Sequence, residues 1–548
     1  MAMTGASSFV LRGAMVFDGT GAPPRRVDVA IEGDRIGAVG PNVRGDTYVD
    51  LDGLSLAPGF IDVHGHTEQS LLVDPRAESK LRQGVTTEVV GQDGSSLGPW
   101  TDERFEEIEA NARDRFGMEG MPFRDLAGFF AWLDGHGAAL NVASMIGHGT
   151  IRAYVVGMDD RPATADELDR MASEVRRALE AGACGLSSGL EYTPGAFGGT
   201  AELIRLATEL RGTGLPYASH MRNEDDEVLA ALEEAIHIGR AAGVRVEVSH
   251  LKAQGARNWW KAPVLLELIE RANAAAPSPA EFGEAVPPAV GFDVYPYVAY
   301  STGLSSLYPA TVREGGTESF LRRLRDPSHH ERLQSLVLDK IDQLGGWNQV
   351  QISGTSSEQL VWAKGRRLGD LAEERGEDPY DLLVFLLVED DGRTDMVGFG
   401  MSEENVEMQL AHPLSIICSD GGARALEGPL SQDMPHPRTF GAFPRVLGRY
   451  VRERGILPME TAIQKMTQMP AWRLGLIDRG VIRPGAFADL VAFDAETVND
   501  RATFENPHQY PEGIPHVWVN GRQVLRDGEQ TGELPGRSVR PRERGGAQ

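Results

Sequence analysis

Four histidines fall at the ends of three short β-like runs. His64 and His66 lie in PGFIDVHGH, His220 closes LPYASH, and His250 closes VRVEVSH. Residues two apart in an extended segment face the same side, so His64 and His66 can grip one ion together. Neutral imidazole is the commonest ligand for zinc and its neighbours. One histidine at a strand end is an ordinary structural residue, whereas four at the ends of three separate runs point to a metal centre. Asp420 in LSIICSDGG ends an apolar run, where a carboxylate is costly unless it is paired or binds a metal. It could supply the acid–base group that hydrolysis by metal-activated hydroxide requires, because the nucleophile must shed a proton and the leaving group must gain one. The alternative for Asp420 is a helix N-cap.

These residues need a scaffold that brings strand ends together. NVASMIG, ACGLSSG, LPYASH, VRVEVSH, GFDVYPY and LSIICSD alternate with helix-like segments such as TADELDRMASEVRRALEAG and NEDDEVLAALEEAIHIGRAAG. The apolar residues of those segments recur at three- and four-residue spacing, and each ends at glycine. Such alternation predicts an α/β fold, a (β/α)8 barrel whose site lies at the C-terminal ends of its strands. Val244, Val246 and Val248 share the face of His250 in an ideal strand, which predicts an inward layer beneath it. Both chain ends are rich in short strands with Gly/Asp turns, predicting one small β-sandwich built from both termini. The expected division is 1–57 and 477–548 for the sandwich and tail, and 58–476 for the barrel. An insertion at about 302–353 interrupts the barrel, and the tail after Pro535 is expected to be disordered.

Composition narrows the partners. The 548 residues carry 80 acidic and 54 basic side chains, a formal charge of −26, which argues against nucleic acid or an anionic membrane surface. Hydrophobic residues make up 41% and charged residues 24%, an ordinary globular balance. The two cysteines, Cys184 and Cys418, sit in apolar stretches and are expected as buried free thiols. The N-terminal segment lacks a cationic start with an apolar core, and no stretch reaches transmembrane length, so a cytoplasmic protein is expected. The sequence leaves room for a homo-oligomer.

With these residues in place, the chain resembles the amidohydrolase superfamily, and within it is similar to the N-acyl-D-amino-acid deacylases (D-aminoacylases). The resemblance is carried by PGFIDVHGH, His220 and His250, SDGG, RGVIRPGAFADLVAFD, GVTTEVVGQDGSSLGP, IGHGTIR, GLSSGLEYTPG, YASHMRNE, FDVYPYVAYSTGL and HPRTFGAFPRVLGRYVRE, in order along the chain. It implies one metal position at His64 and His66 and another at His220 and His250. Asp420 would deprotonate the attacking water and then protonate the departing nitrogen. Members often carry GNCG, with a cysteine bridging the metal positions; GQDG here puts Asp93 in its place. A carboxylate can bridge two ions, but is a harder ligand than thiolate, so zinc remains the expected ion with manganese or cobalt as substitutes. The other reading of Asp93 is a turn residue. The resemblance also implies Lys252 and Tyr295 as ligands of a substrate carboxylate, with Ser301 as a helper. Arg222 and Arg438 lie in loops expected to reach the rim. His148 in GHG is expected to be structural or to support a ligand. The implied substrate is a small N-acyl amine, with N-acyl-D-amino acids the leading class.

Three alternatives stay open. A cyclic-amide or imide hydrolase, or a deacylase for an unusual amine such as a β-amino acid or dipeptide, shares the same site residues. A serine hydrolase would use GSSLG at 94–98 or GLSSG at 185–189, both matching the nucleophile-elbow pattern. A non-catalytic barrel would keep the fold without the chemistry.

Overall fold

The computed structural model describes residues 8–118, 120–275 and 289–541. Its centre is made of parallel strands, most of them followed by helix. Asn141–Ser144, Val85–Val90 and Phe60–Asp62 form one parallel sheet in that order. Ile146–Gly147, Leu186–Gly189, Pro216–His220, Arg245–Val248, Val290–Val294 and Ser415–Ile417 form a second. The sheets meet twice. The Met145 N–H between Ser144 and Ile146 donates to Val90 O at 2.9 Å. At the other side, Asp420 N–H donates to His64 O at 2.9 Å and His66 N–H to Gly421 O at 3.1 Å, so two segments far apart in sequence arrive side by side.

Local sequence accounts for the flanking helices. Ala165–Ala181 opens on a capping box between Thr164 and Glu167, closes on Gly182 in the left-handed region, and buries Met171, Ala172, Val175 and Ala178, one helical face. Val228–Ala242 closes on Gly243 in the same way. The expected inward layer at Val244, Val246 and Val248 is not what forms. Val246 and Val248 pack in the cluster that holds Ile238, Leu265 and Ile269 of the helices. A Cβ on Gly239 would stand 2.2 Å from Val246 Cγ2. The valines therefore face the helices, and Glu247 takes the opposite face, where it pairs with Arg473 at 2.6 Å. His250 escapes the valine face because the strand has ended at Val248 and His250 itself turns at φ 33°, which breaks the alternation.

The chain ends form two further sheets, one from N-terminal strands and one from strands of both ends. Arg35–Gly40, Asp28–Glu32, Ser8–Arg12 and Thr47–Asp50 form one. In the other, Leu490–Phe493 runs antiparallel to Ser55–Pro58, pairing Leu490 with Pro58 and Ala492 with Leu56. Leu11, Ile31, Ile36, Leu56, Leu490 and Trp518 share a core between them. The expected disorder after Pro535 is corrected through residue 541. Gly536 N–H donates to Ala138 O, Val539 N–H to Val142 O, and Ser538 Oγ to Asp134, so this segment is paired along its backbone.

The insertion expected at about 302–353 has a longer core. Tyr300–Gly303, Asp395–Gly398 and Val350–Gly354 form an antiparallel sheet, and one apolar cluster runs from Tyr300 through Tyr380 and Leu386 to Met396. The helix Pro379–Glu389 is apolar on a broad face, which the sequence reading left in the main domain. Cys184 and Cys418 are free and buried. Among the described residues no helix is long and apolar enough to cross a membrane.

Candidate metal centre

His64, His66, Asp93, His220, His250 and Asp420 converge at the C-terminal ends of the parallel strands. Their donor atoms form two groups that share Asp93: His64, His66, Asp93 and Asp420, and Asp93, His220 and His250. Asp93 Oδ1 lies 3.4 Å from His64 Nε2, 3.4 Å from His250 Nε2 and 3.7 Å from His220 Nδ1. Its Oδ2 lies 3.6 Å from His66 Nε2. Asp420 Oδ1 lies 3.3 Å from His66 Nε2 and 3.7 Å from His64 Nε2. These separations exceed good hydrogen bonds, but match the roughly 3.3 Å edges of a tetrahedron with bonds of about 2.0–2.1 Å. Both ring nitrogens of His64 and Asp93 Oδ1 are buried without a hydrogen-bond partner. Such orphaned donors are costly in a finished protein site, so the residues present fit a divalent ion.

The electrostatics agree. Burial pulls the His66 imidazole down, yet Asp420 and Asp93 outweigh it and hold it at about 9. His220 rises to about 10 in the same way, against burial, through Glu224, Asp93 and Glu191. Burial pushes Asp93 up, but His64 and His250 hold it well below the usual carboxylate range. The cluster thus demands positive charge, which bound cations supply as well as protons do.

Three of the six converging residues occupy left-handed backbone, Asp93 at φ 53°, His250 at φ 33° and Asp420 at φ 50°. Non-glycine residues rarely adopt this region, and it concentrates at functional sites. Gly65 between the first two histidines is dictated by space, since a Cβ there would stand 1.7 Å from Glu88 Oε1. Beneath it lies a fully buried set. Lys80 Nζ is 2.6 Å from Asp62, 3.1 Å from Glu88 and 2.7 Å from Ser419 Oγ, while Asp62 accepts the backbone N–H groups of His64 and Ser419. This set ties the strand carrying His64 to the one carrying Asp420. Asp293 acts similarly: its Oδ1 accepts His250 N–H at 2.6 Å and lies 3.5 Å from His64 Nδ1. Sequence reasoning passed over Asp62, Lys80 and Asp293. The cue used for Asp420, a carboxylate in an apolar run, was present in FIDVH and GFDVY.

The residues expected to bind substrate divide. Ser301 lines the cleft beside the centre, with its Oγ donating to Met396 O. Arg438 lines it too, 2.8 Å from Asp420 Oδ2 and 4.7 Å above the Tyr295 ring. Tyr295 is buried, with its hydroxyl on Met401 Sδ at 3.7 Å. Lys252 lines the cleft, but its ammonium is engaged with both oxygens of Glu224, at 2.7 and 2.9 Å, and lies 2.6 Å from His250 Nδ1. Arg222 is not brought to the site: its guanidinium pairs with Glu234 and donates to the carbonyls of Ala196 and Gly198. A cation in a loop after a ligand strand does not by itself specify direction, and Glu234 on the following helix captures this one. His148 is buried against Glu202 at 2.8 Å, which also holds Arg152, so it supports the scaffold. Ser96 and Ser187 each donate to backbone carbonyls, Gly98 O and Gly91 O, and among the described residues no histidine is in hydrogen-bond contact with either. Glu191 and Glu224 were missed; they lie 3.6 and 3.9 Å from His220 Nε2. Glu224 follows His220 by four residues in HMRNE, a spacing that could have drawn attention to it.

The centre lies in an open cleft of about 1660 Å³. The amidohydrolase family model matches residues 47–261 and 429–525. A D-aminoacylase of Alcaligenes xylosoxydans xylosoxydans is 36% identical over 540 residues, covering 96% of each chain. An N-acyl-D-aspartate deacylase of the same organism is 36% identical over 98% of this chain and 95% of that one. The crystal structure of N-acyl-D-glutamate deacylase from Bordetella bronchiseptica, complexed with zinc and a phosphonate mimic of the tetrahedral intermediate, matches with TM-score 0.79 at 34% identity, over 98% of this chain and 100% of that one. The chain belongs to the amidohydrolase family.

Proposed function

We propose that this protein hydrolyses the amide of N-acyl-D-amino acids, giving a carboxylate and a free D-amino acid. One observation carries the reading: four imidazoles and the Asp420 carboxylate converge around Asp93 in a cleft, with both His64 nitrogens and Asp93 Oδ1 buried and unpartnered, in a chain similar along almost its whole length to enzymes named for that substrate class. The same likeness supports reading the two parallel sheets as one (β/α)8 barrel and the two terminal sheets as a sandwich.

His64, His66, Asp93 and Asp420 would hold one ion, and Asp93, His220 and His250 a second. Zinc suits these donors, with manganese and cobalt also accepted by a set without thiolate. When bound, the ion supplies Lewis acidity to the scissile carbonyl and acidifies the attacking water. Asp420 takes the proton from that water and returns it to the departing nitrogen. Arg438 and Lys252, with Ser301, bind the substrate carboxylate. Arg438 also holds the Asp420 carboxyl far below its usual range, against the effect of burial. A substrate carboxylate that draws the guanidinium away would relieve Asp420 of that restraint as it is needed as a base.

The test is amine release from paired N-acetyl-D- and N-acetyl-L-amino acids. Release from the D-series supports the reading. Release from neither, with dihydropyrimidines or hydantoins hydrolysed instead, would favour a cyclic-amide hydrolase.

A further inference from the structure

His220 and His250 each turn one ring nitrogen toward Asp93, His220 Nδ1 at 3.7 Å and His250 Nε2 at 3.4 Å. The other nitrogen of each ring faces carboxylates to which the proposed reaction gives no part. His250 Nδ1 lies 3.1 Å from Glu224 Oε1. His220 Nε2 lies 3.6 Å from Glu191 Oε2 and 3.9 Å from Glu224 Oε2, and is buried without a hydrogen-bond partner. Glu224 is itself buried and held through its backbone. Its N–H donates to Glu191 Oε1 at 3.1 Å, and its carbonyl accepts Gln254 N–H at 2.7 Å. Its carboxylate accepts Gln254 Nε2 at 2.8 Å and Lys252 Nζ at 2.7 and 2.9 Å.

A neutral imidazole that gives the lone pair of one nitrogen to an ion carries its hydrogen on the other, and that N–H needs an acceptor. Lys252 Nζ, 2.6 Å from His250 Nδ1, has only donors to offer. Glu224 Oε1 is an acceptor within reach. We propose that Glu224 is a positioning residue: its carboxylate, with that of Glu191 beside it, takes the outer N–H groups of His250 and His220 and sets both rings toward Asp93. The same carboxylate holds Lys252, so metal retention and the aim of the substrate-binding lysine depend on one buried anion. The inference rests on the metal centre of the deacylase reading, which leaves both glutamates without a role. Outer partners of ligand histidines contribute about 10- to 100-fold in metal affinity.

The experiment measures zinc affinity by chelator competition, and the urea midpoint, for wild type, Glu224→Gln, Glu224→Asp and Lys252→Met. One zinc equivalent should be held about 10- to 100-fold more weakly in Glu224→Gln. Glu224→Asp should weaken it similarly, because it keeps the charge but draws it back by one methylene. Lys252→Met breaks the same ion pair from the other side and should not weaken zinc, even where it lowers the urea midpoint. Lys252→Gln takes its place if the methionine variant does not fold. Zinc affinity that follows the urea midpoint across the variants makes the pair structural and overturns the positioning role. Wild-type affinity in Glu224→Asp overturns it too, leaving Glu224 a nearby charge. So does a third zinc equivalent lost in Glu224→Gln, which would make Glu191, His220 and Glu224 an ion site of their own. Wild type that binds no zinc overturns the inference with the metal centre. Amine release from N-acetyl-D-methionine, followed alongside on the zinc-loaded wild type, judges the deacylase reading separately.

Discussion

Arg438 Nη1 lies 2.8 Å from Asp420 Oδ2, with the guanidinium 4.7 Å above the Tyr295 ring, and both charged residues are buried. The pair joins the group assigned to proton transfer with the group assigned to substrate binding. Arg438→Gln removes a charged, desolvated contact, for which losses of about 2–5 kcal/mol are usual, or roughly 30- to 5,000-fold in kcat/KM. Arg438→Lys is not expected to restore activity, because an ammonium lacks the flat fork that stacks on the ring. Steady-state kinetics check this; unchanged kcat/KM in Arg438→Gln would remove the residue from the site.

Lys252 and Glu224 form a second buried pair, further fixed by Gln254. Lys252→Met leaves the Glu224 carboxylate without its cation, and breaking such a pair costs about 3–5 kcal/mol. Lys252→Met with Glu224→Gln is expected to recover much of that loss while activity stays low. Urea midpoints and turnover of both variants separate the contribution to stability from that to substrate binding.

Metal content tests Asp93 and Asp420 separately. Asp93→Ala removes the carboxylate both donor groups share, so elemental analysis should show loss at one or both positions. Unchanged content would favour the turn-residue reading. Asp420→Asn should lower kcat by about 10²–10⁴-fold, the range for a lost acid–base group, with metal retained; near-normal turnover would sink its assignment.

Away from the site, Glu247 is buried beside Arg473, and burial outweighs the arginine to raise its carboxyl from 4.5 to about 7. A raised carboxyl keeps its proton in the folded state where the unfolded chain has lost it. Its contribution to stability is therefore full below pH 4.5 and is lost as pH rises through about 7. Urea midpoints across this window should fall more steeply with pH in the wild type than in Glu247→Gln. Parallel profiles would contradict the shift.

The residues of the candidate metal centre were legible because each closes or follows an apolar run and the runs alternate with amphipathic helices. What stayed hidden depends on backbone turns and long-range partners. A strict two-residue period puts His250 with Val246 and Val248, and only the positive φ at His250 separates them. Arg222 looked like a rim cation until the fold set Glu234 against it. The 300–398 module read as shorter because Pro379–Glu389 is buried on a broad face, a pattern shared with any core helix. The segment after Pro535 looked disordered from its polar composition, yet its backbone pairs with Ala138 and Val142, and pairing of that kind leaves no periodic signature.

The measurement that tests the central claim most directly is elemental metal analysis paired with amine release from N-acetyl-D- and N-acetyl-L-methionine, before and after chelation. The account predicts bound divalent metal, release from the D-form alone, and loss of both on chelation with recovery on adding zinc, manganese or cobalt. Metal-free protein that hydrolyses either form, undiminished by chelator, would contradict it.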